Sequence, residues 1–460
     1  MIKVFNHYMH AWTLKRILFD FGTALLLLAS VFLVQTENVS LLFPMAGTQV
    51  VSLAAGMFVI NTASGLYQVS GQRSLVESCL RAGFALALAL LLTYQIFGLI
   101  PSIAAERETI RTSAMLVIAV VIVRRVFVGH WMGRSKAGAR VLIFGAGPAA
   151  QSVGTTLKSV DPHAHLVGYL PGPNELQSTV PDTELLTGYS SLTTTANALM
   201  VDEIVVALTE RRSGSMPMRE LLDCKLAGVQ VFDVTTYFER MLGQIRIDYV
   251  NAGWLIFGEG FNQAFYRTLV KRAFDLVCTL LLILVTSPFM LVTALAIVLE
   301  SKGPVFYRQE RVGANGRPFK VNKFRSMGTD AEKDGKPVWA AAQDVRVTRV
   351  GNIIRRLRID ELPQLFNVLR GEMSLVGPRP ERPYFVEQLT QEIPYYAVRH
   401  SIKPGLTGWA QVKYQYGSTI EDSQEKLQYD LYYVKNHSLF LDFVILFQTV
   451  GVVLTGKGAR

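Results

Sequence analysis

The sequence is poor in cysteine: Cys79, Cys224 and Cys278 are the three in 460 residues, widely separated and odd in number. Neither a disulfide framework nor a zinc site is suggested, and the three read as small buried hydrophobes. The seven histidines form no His-Glu-x-x-His pair and no Cys/His cluster. Oxygen ligands are then the route to any metal, which points to a magnesium-like ion. No tyrosine has a lysine four positions later, and no second glycine fingerprint occurs, so hydride chemistry lacks its base and its cofactor turn. No zinc-finger, RNP or helix-turn-helix pattern accompanies the basic charge, so nucleic acid is not expected as a partner.

Charge is also scarce, at 18% of residues, while half the chain is hydrophobic and the mean hydropathy is +0.28, above ordinary soluble usage. This is a membrane composition, in a chain long enough for two or three domains. The net charge of +10 is uneven: residues 301–380 hold 16 Lys/Arg against 8 Asp/Glu. A solvated basic face is the bland reading. Phosphate ligands and an acidic membrane surface are the functional ones, and the apolar flanks favour the membrane.

Four apolar segments occupy the N-terminal third, at about Ile17–Val34, Val50–Tyr67, Ala82–Ile100 and Ser113–Val123. The first three approach the ~20 residues of a spanning helix. The fourth is interrupted by Arg124 and Arg125, so it either begins near Ala104 or leaves the bilayer with those arginines snorkelling. No Ala-x-Ala cleavage site follows the first segment, which therefore reads as an anchor. Lys3, Lys15 and Arg16 precede the first span, and Arg124, Arg125, Arg134, Lys136 and Arg140 follow the fourth. Both ends are expected in the cytoplasm.

From about Lys136 the pattern turns α/β. Strands are expected at Val141–Phe144, Leu166–Leu170, Glu203–Leu208 and Val229–Val234. Gly145 and Gly147, with Ala150 in place of a third glycine, fit a turn in which backbone approaches a pyrophosphate at a helix N-terminus. The second strand ends in Tyr169-Leu170-Pro171-Gly172, without the acidic residue that holds an adenine ribose, and Glu175 lies beyond it. A non-catalytic Rossmann-like module is the favoured reading and a bound nucleotide the rival.

Residues Leu276–Leu299 carry no charge and are long enough to span, but Ser287 and Pro288 sit at their middle, where a kink is expected. A spanning helix would put the basic stretch outside the cytoplasm, against the positive-inside tendency. A re-entrant helix over about 273–299 resolves both points, with an ordinary proline-kinked span as the alternative. Beyond it lie Lys323 and Arg325 in a cation-rich run. Arg358-Ile359-Asp360-Glu361-Leu362-Pro363 then opens a helix with Leu362, Phe366 and Leu369 on one face. Asp360 reads either as a plain N-cap or as a carboxylate that attacks phosphorus, with Glu361 beside it holding Mg²⁺. Arg379, in Gly377-Pro378-Arg379-Pro380, suits a forked phosphate contact. Leu439–Leu454 is short for a span and reads as an interfacial or docked helix; Tyr432 and Tyr433 before it fit either headgroup level or core.

The block from Lys271 to about Val453 resembles the bacterial sugar transferase family, the monotopic polyprenyl-phosphate hexose-1-phosphate transferases. The likeness rests on Lys271-Arg272-x-x-Asp275, Ser287-Pro288, Gly303-Pro304-Val305-Phe306, Lys323-Phe324-Arg325-Ser326-Met327, Asp360-Glu361-Leu362-Pro363-Gln364, Val376-Gly377-Pro378-Arg379-Pro380 and Lys403-Pro404-Gly405-Leu406-Thr407-Gly408-Trp409. The preceding segments are similar to the large form of that family. The resemblance implies four transmembrane helices over 1–135, a Rossmann-like module over 136–250, a linker over 251–270 and a mainly helical catalytic domain over 271–460. The fold class is thus a membrane protein of α and α/β parts. It further implies that Asp360 is the nucleophile on a UDP-sugar, that Glu361 binds Mg²⁺, and that undecaprenyl phosphate docks near Arg272, Ser287 and Pro288. Lys323, Arg325, Arg358, Arg379 and Arg399 would contact phosphate or nucleotide. A homodimer in the bacterial inner membrane, in contact with membrane lipid and with its catalytic domain on the cytoplasmic face, is implied as well. The rival classes are a membrane-bound nucleotide-sugar dehydratase, which lacks its fingerprints here, and a non-enzymatic nucleotide-binding scaffold, against which the carboxylate pair argues.

Overall fold

The computed structural model describes residues 2–4, 7–9, 22 and 138–455, the last range apart from 162–163, 174, 176–177, 188–190, 209–215, 251, 259, 262–264, 329–345, 415–416 and 418. Apart from Gly22, the four expected N-terminal spans lie outside the described residues, as do Cys79, Arg124, Arg125, Arg134 and Lys136. The chain divides into two units, with the division between Gly258 and Glu259 in the described part.

The first unit is a four-stranded parallel sheet in the order β2-β1-β3-β4, where β1 is Arg140–Phe144, β2 His165–Leu170, β3 Glu203–Val206 and β4 Gln230–Asp233. Its central strands are apolar and buried on both faces, as parallel strands covered by crossover helices must be. On one face Val153 and Leu157 of α1 (Pro148–Val160) and Tyr237 and Phe238 of α4 (Val234–Leu242) pack on Val141, Ile143 and Val205. On the other, Leu192 and Ala196 of α2 (Leu192–Ala198) and Leu221 and Cys224 of α3 (Met218–Leu226) pack on Leu142, Phe144, Ile204 and Val206. The sheet lies where alternation and β-branched runs put it, with ends one or two residues from the expected ones. Gly145 turns β1 into α1 at φ +134°, and a Cβ there would lie 2.5 Å from the Ala207 carbonyl oxygen. Only glycine meets both conditions.

The second unit contains α5 (Phe265–Glu300), the single described helix long and apolar enough to cross a membrane by length and composition. It is helical on both sides of Pro288, which lies inside it. The local reason is visible: proline cannot donate to the carbonyl of Leu284, and the Ser287 hydroxyl donates to that oxygen instead, at 2.9 Å. The flanking words form an antiparallel hairpin, β5 (Phe306–Val312) with β6 (Pro318–Phe324), turned at Gly316. Then come α6 (Arg349–Arg356), a 3₁₀ turn over Ile359–Gln364, and α7 (Leu365–Arg370). A parallel pair joins β7 (Ser374–Val376) to β8 (Gly405–Thr407). It is surrounded by α8 (Pro383–Glu392), α9 (Trp409–Lys413), α10 (Ile420–Asn436) and α11 (Leu439–Thr455). Helix α11 is docked, with Leu441, Asp442 and Ile445 fully buried, and Tyr432 and Tyr433 are core residues.

Both ends of α5 are tied to this same unit. Near its start, Arg272 donates to the carbonyls of Val368 and Leu369 at 2.6 and 2.8 Å, closing the C-terminus of α7. Asp275 accepts from the Leu375 amide at 3.2 Å, and Lys271 pairs with Asp442 at 2.7 Å. Near its end, Ile297 packs with Phe324 and Ile354, and Glu300 accepts from the Val350 amide. Between these anchors Leu280, Leu281, Leu284, Val285, Phe289, Leu291 and Val292 are exposed.

Candidate active site

Asp360 and Glu361 lie inside the 3₁₀ turn, not at a cap. The N-cap is Arg358, a non-glycine residue in the left-handed region at φ 59°, so the capping reading of Asp360 is corrected. The expected face of Leu362, Phe366 and Leu369 is also replaced: Leu365 and Val368 face the core and Phe366 is exposed. The tight 3₁₀ turn followed by a separate helix shifts the phase of the side chains away from a continuous 3.6-residue period.

Both carboxyl groups are buried. Glu361 is enclosed by cations: Lys323 of β6 lies 2.9 Å away, Arg379 2.8 Å, and Arg358 3.9 Å. Burial alone would raise its pKa, but Arg379, Lys323 and Arg358 override it and hold the carboxylate well below the usual range. Asp360 makes no hydrogen bond or ion pair among the described residues. Burial first, and the Glu361 charge second, raise it to about 6 against the opposing pull of Lys323, Arg355 and Arg379. One carboxylate thus organises the cations and the other is left as an ionisable group in a positive field. This is the environment in which an aspartate can attack a phosphate ester whose own charge the cations offset.

Each neighbour is positioned by separate chemistry. Asn367, fully buried, accepts from the Asn322 amide and side chain at 3.0 Å and donates to the Lys320 carbonyl and to Glu372. It locks α7 to β6 and so sets Lys323 beside Glu361. Arg379 sits on the loop after β7, held at Gly377 by the Thr407 carbonyl. A side chain at Gly377 would meet the Lys403 carbonyl oxygen at 2.5 Å, and one at Gly405 the Gly377 amide at 2.1 Å. The glycines of the two turn words therefore allow the two strand ends to touch.

The sequence-stated cations separate into two groups here. Lys323, Arg358 and Arg379 converge on the carboxylate pair. Arg325, Arg272 and Arg399 are directed elsewhere: Arg325 donates to the Lys302 and Ser301 carbonyls at 2.8 and 2.7 Å, Arg272 caps α7, and Arg399 pairs with Asp430 at 2.8 Å. Ser287 and Pro288 lie mid-helix in α5. Asp430, Tyr396 and Asn367 are absent from the expectations, because each lies in an ordinary amphipathic stretch and acts only across tertiary contacts.

Two adjacent carboxylates with phosphate oxygens to complete the shell are the usual donor set for Mg²⁺. Among the described residues Glu361 Oε2 is approached only by Arg358, at 3.9 Å, which leaves that oxygen open to such an ion. In the first unit Gly145 and Gly147 do form the turn that opens α1, but the amides of Ala146 and Gly172 donate to Glu175 Oε2 at 2.6 and 3.1 Å. The chain's own carboxylate takes those donors.

These features define a class: a basic unit that joins a buried carboxylate pair to an exposed apolar helix, suited to phosphate chemistry beside a membrane. The chain belongs to the bacterial sugar transferase family, whose profile matches residues 266–456. It is 44% identical over 263 residues to the UDP-N-acetylgalactosamine-undecaprenyl-phosphate N-acetylgalactosaminephosphotransferase of Aeromonas hydrophila, covering 57% of this chain and 61% of that one. It is 38% identical over 288 residues to the UDP-glucose:undecaprenyl-phosphate glucose-1-phosphate transferase of Klebsiella pneumoniae, covering 60% of each. It is 42% identical over 192 residues to an uncharacterized sugar transferase, EpsL, of Bacillus subtilis, covering 42% of this chain and 91% of that one. The aligned part of the chain thus spans about three fifths of the first two relatives and nearly all of the third.

Proposed function

We propose that the second unit transfers a hexose 1-phosphate from a UDP-sugar to undecaprenyl phosphate. The Asp360 carboxylate attacks the β-phosphorus, the bond from that phosphorus to the bridging oxygen breaks, and its electron pair leaves with UMP. A phosphosugar-aspartate remains. A phosphate oxygen of the polyprenyl acceptor then attacks the same phosphorus and expels the carboxylate, giving a polyprenyl-diphosphate sugar. The observation that carries this reading is the division of labour in the pair: Glu361 engages Lys323, Arg379 and Arg358, while Asp360 is buried beside it without a partner among the described residues. The names of the relatives agree with the reading.

Lys323, Arg358 and Arg379 would bind and orient the diphosphate once their hold on Glu361 is shared with it. Mg²⁺ at Glu361, when bound, would neutralise charge on the departing nucleotide. The apolar face of α5 would sit in the lipid, with Arg272, Ser287 and Pro288 close to the acceptor's path. A re-entrant course is supported by the ties of both helix ends to one unit: a helix crossing the bilayer would carry one end about 30 Å away from it. The reading puts the chain in the bacterial inner membrane as a multi-pass protein, with this unit on the cytoplasmic face, where UDP-sugars are, and as a homodimer. The first unit is read as a non-catalytic Rossmann-like module, in keeping with Glu175 on its glycine turn.

The test is UMP release from purified protein with Mg²⁺ and undecaprenyl phosphate. One UDP-hexose in a panel of glucose, galactose and N-acetylated donors should give UMP, and Asp360→Asn should abolish it. Full activity in Asp360→Asn would remove the nucleophile assignment. The panel is needed because hexose discrimination depends on a few contacts, and the relatives named above divide between N-acetylgalactosamine and glucose.

A further inference from the structure

The loop that carries Arg379 is held by four successive carbonyls. The Gly405 amide donates to Pro378 at 2.9 Å, Arg399 Nη2 to Arg379 at 2.8 Å, Arg311 Nη1 to Pro380 at 3.1 Å, and the Val312 amide to Glu381 at 2.9 Å. Three of these donors belong to strands: Arg311 and Val312 to β5 and Gly405 to β8. The fourth, Arg399, is different in kind. Its guanidinium is almost wholly buried, and the same Nη2 that reaches the Arg379 carbonyl lies 2.8 Å from Asp430 Oδ2. Its Nη1 donates to the Tyr396 hydroxyl at 2.7 Å, and the guanidinium stands 5.2 Å from that ring's centroid.

Asp430 is 1% exposed on α10, and among the described residues its Oδ1 and the Nε of Arg399 have no hydrogen-bond partner. A buried ion pair with unfilled hydrogen-bonding capacity is a poor way to gain stability, since an apolar pair of the same volume would do as well or better. Among the described residues, its hydrogen bond beyond Tyr396 goes to the backbone of the residue whose side chain touches Glu361. The chain of contacts is therefore Asp430 to Arg399, Arg399 to the Arg379 carbonyl, and the Arg379 guanidinium to Glu361 at 2.8 Å.

We propose that Asp430 and Arg399 form a buried clasp that positions Arg379 against Glu361, making Asp430 a positioning residue for the transfer reaction and Arg399 part of the same device, not a substrate ligand. The inference rests on the transferase reading above. A lysine at 399 could keep the charge pair with Asp430, but its one nitrogen ends a bond short of the Nη2 position and cannot also serve the Tyr396 hydroxyl, so it cannot hold Asp430, the Arg379 carbonyl and Tyr396 together. The clasp can thus be opened without removing either charge.

The experiment compares wild type, Arg399→Lys, Asp430→Asn, Arg379→Ala and the double variant Asp430→Asn/Arg379→Ala in the full-length protein. UMP release is read as separate kcat and KM values, melting temperature as a folding control, and hydrogen exchange of the 374–385 segment as a readout free of activity. A misplacement of about 1 Å at a reacting site costs about 100-fold in rate. Arg399→Lys should therefore lose about that much in kcat with a near wild-type melting temperature, and exchange should quicken in 374–385 alone. Asp430→Asn/Arg379→Ala should be no slower than Arg379→Ala. Wild-type kcat in folded Arg399→Lys, unchanged exchange in that segment, or losses in the two single variants that multiply in the double would each overturn the clasp. If Asp430→Asn does not fold, Arg399→Lys decides alone. Absence of UMP release from wild type would instead sink the transferase reading, and the exchange result would still decide whether the clasp holds the loop.

Discussion

Replacing Glu361 by glutamine tests the electrostatics of the site more sharply than replacing the nucleophile. In the folded protein Asp360 titrates at about 6 because it is buried and because the Glu361 charge stands beside it, with Lys323, Arg355 and Arg379 pulling the other way. Glutamine keeps the shape and removes one negative charge. At an effective dielectric of about 20 and a separation of about 6 Å, one unit charge contributes about 2.8 kcal/mol, which is about two pKa units. The cations that Glu361 engaged would also be left to act on Asp360, in the same direction. Asp360 in the variant should therefore ionise about two units or more lower than in wild type, while the variant's maximal rate falls because the cations are no longer held in register and the proposed Mg²⁺ ligand is gone. The assay is single-turnover UMP release with enzyme in excess and no acceptor, followed from pH 4.5 to 8. An ionised aspartate is needed for attack, so wild-type rate should drop as pH falls through about 6, by roughly tenfold between pH 7 and pH 5. The acid limb of Glu361→Gln should move to lower pH. An acid limb that stays in place or moves upward would refute the account of Asp360 as a group whose pKa is set by its neighbour's charge.

Two other outcomes are expected. With the native cysteines replaced, single cysteines at Tyr266→Cys and Lys302→Cys should be labelled from the same side of the membrane by an impermeant thiol reagent, and labelling from opposite sides would restore the straight spanning helix. Gly145→Ala should destabilise the first unit by about 1–3 kcal/mol, seen in its unfolding transition, because it combines a positive φ with a Cβ 2.5 Å from the Ala207 oxygen. An unchanged transition would mean that the turn relaxes freely.

Local chemistry wrote much of this protein into its sequence. The four strands of the first unit follow from short β-branched runs between turn residues, and the glycine turn from a position where no Cβ fits. The apolar run of α5, the adjacent Asp360 and Glu361, and the rigid turn words around Arg379 and Lys403 were legible for the same reason: composition and spacing determine them within a few residues. The tertiary structure decided the rest. Which arginines face the carboxylate pair could not be read locally, since the runs around Arg325 and Arg379 both read as phosphate contacts, yet one arginine closes carbonyls at Ser301 and Lys302 and the other reaches Glu361. The phase of Leu362, Phe366 and Leu369 was lost to a 3₁₀ turn that only packing selects. The continuity of α5 through Pro288 depended on a hydroxyl taking over a carbonyl. The difference between Asp360 and Glu361, two neighbouring carboxylates of the same type, came from cations brought in by β6 and by the loop after β7. Charge at a site is a sum over three-dimensional neighbours, and the sequence alone supplies the charges without their distances.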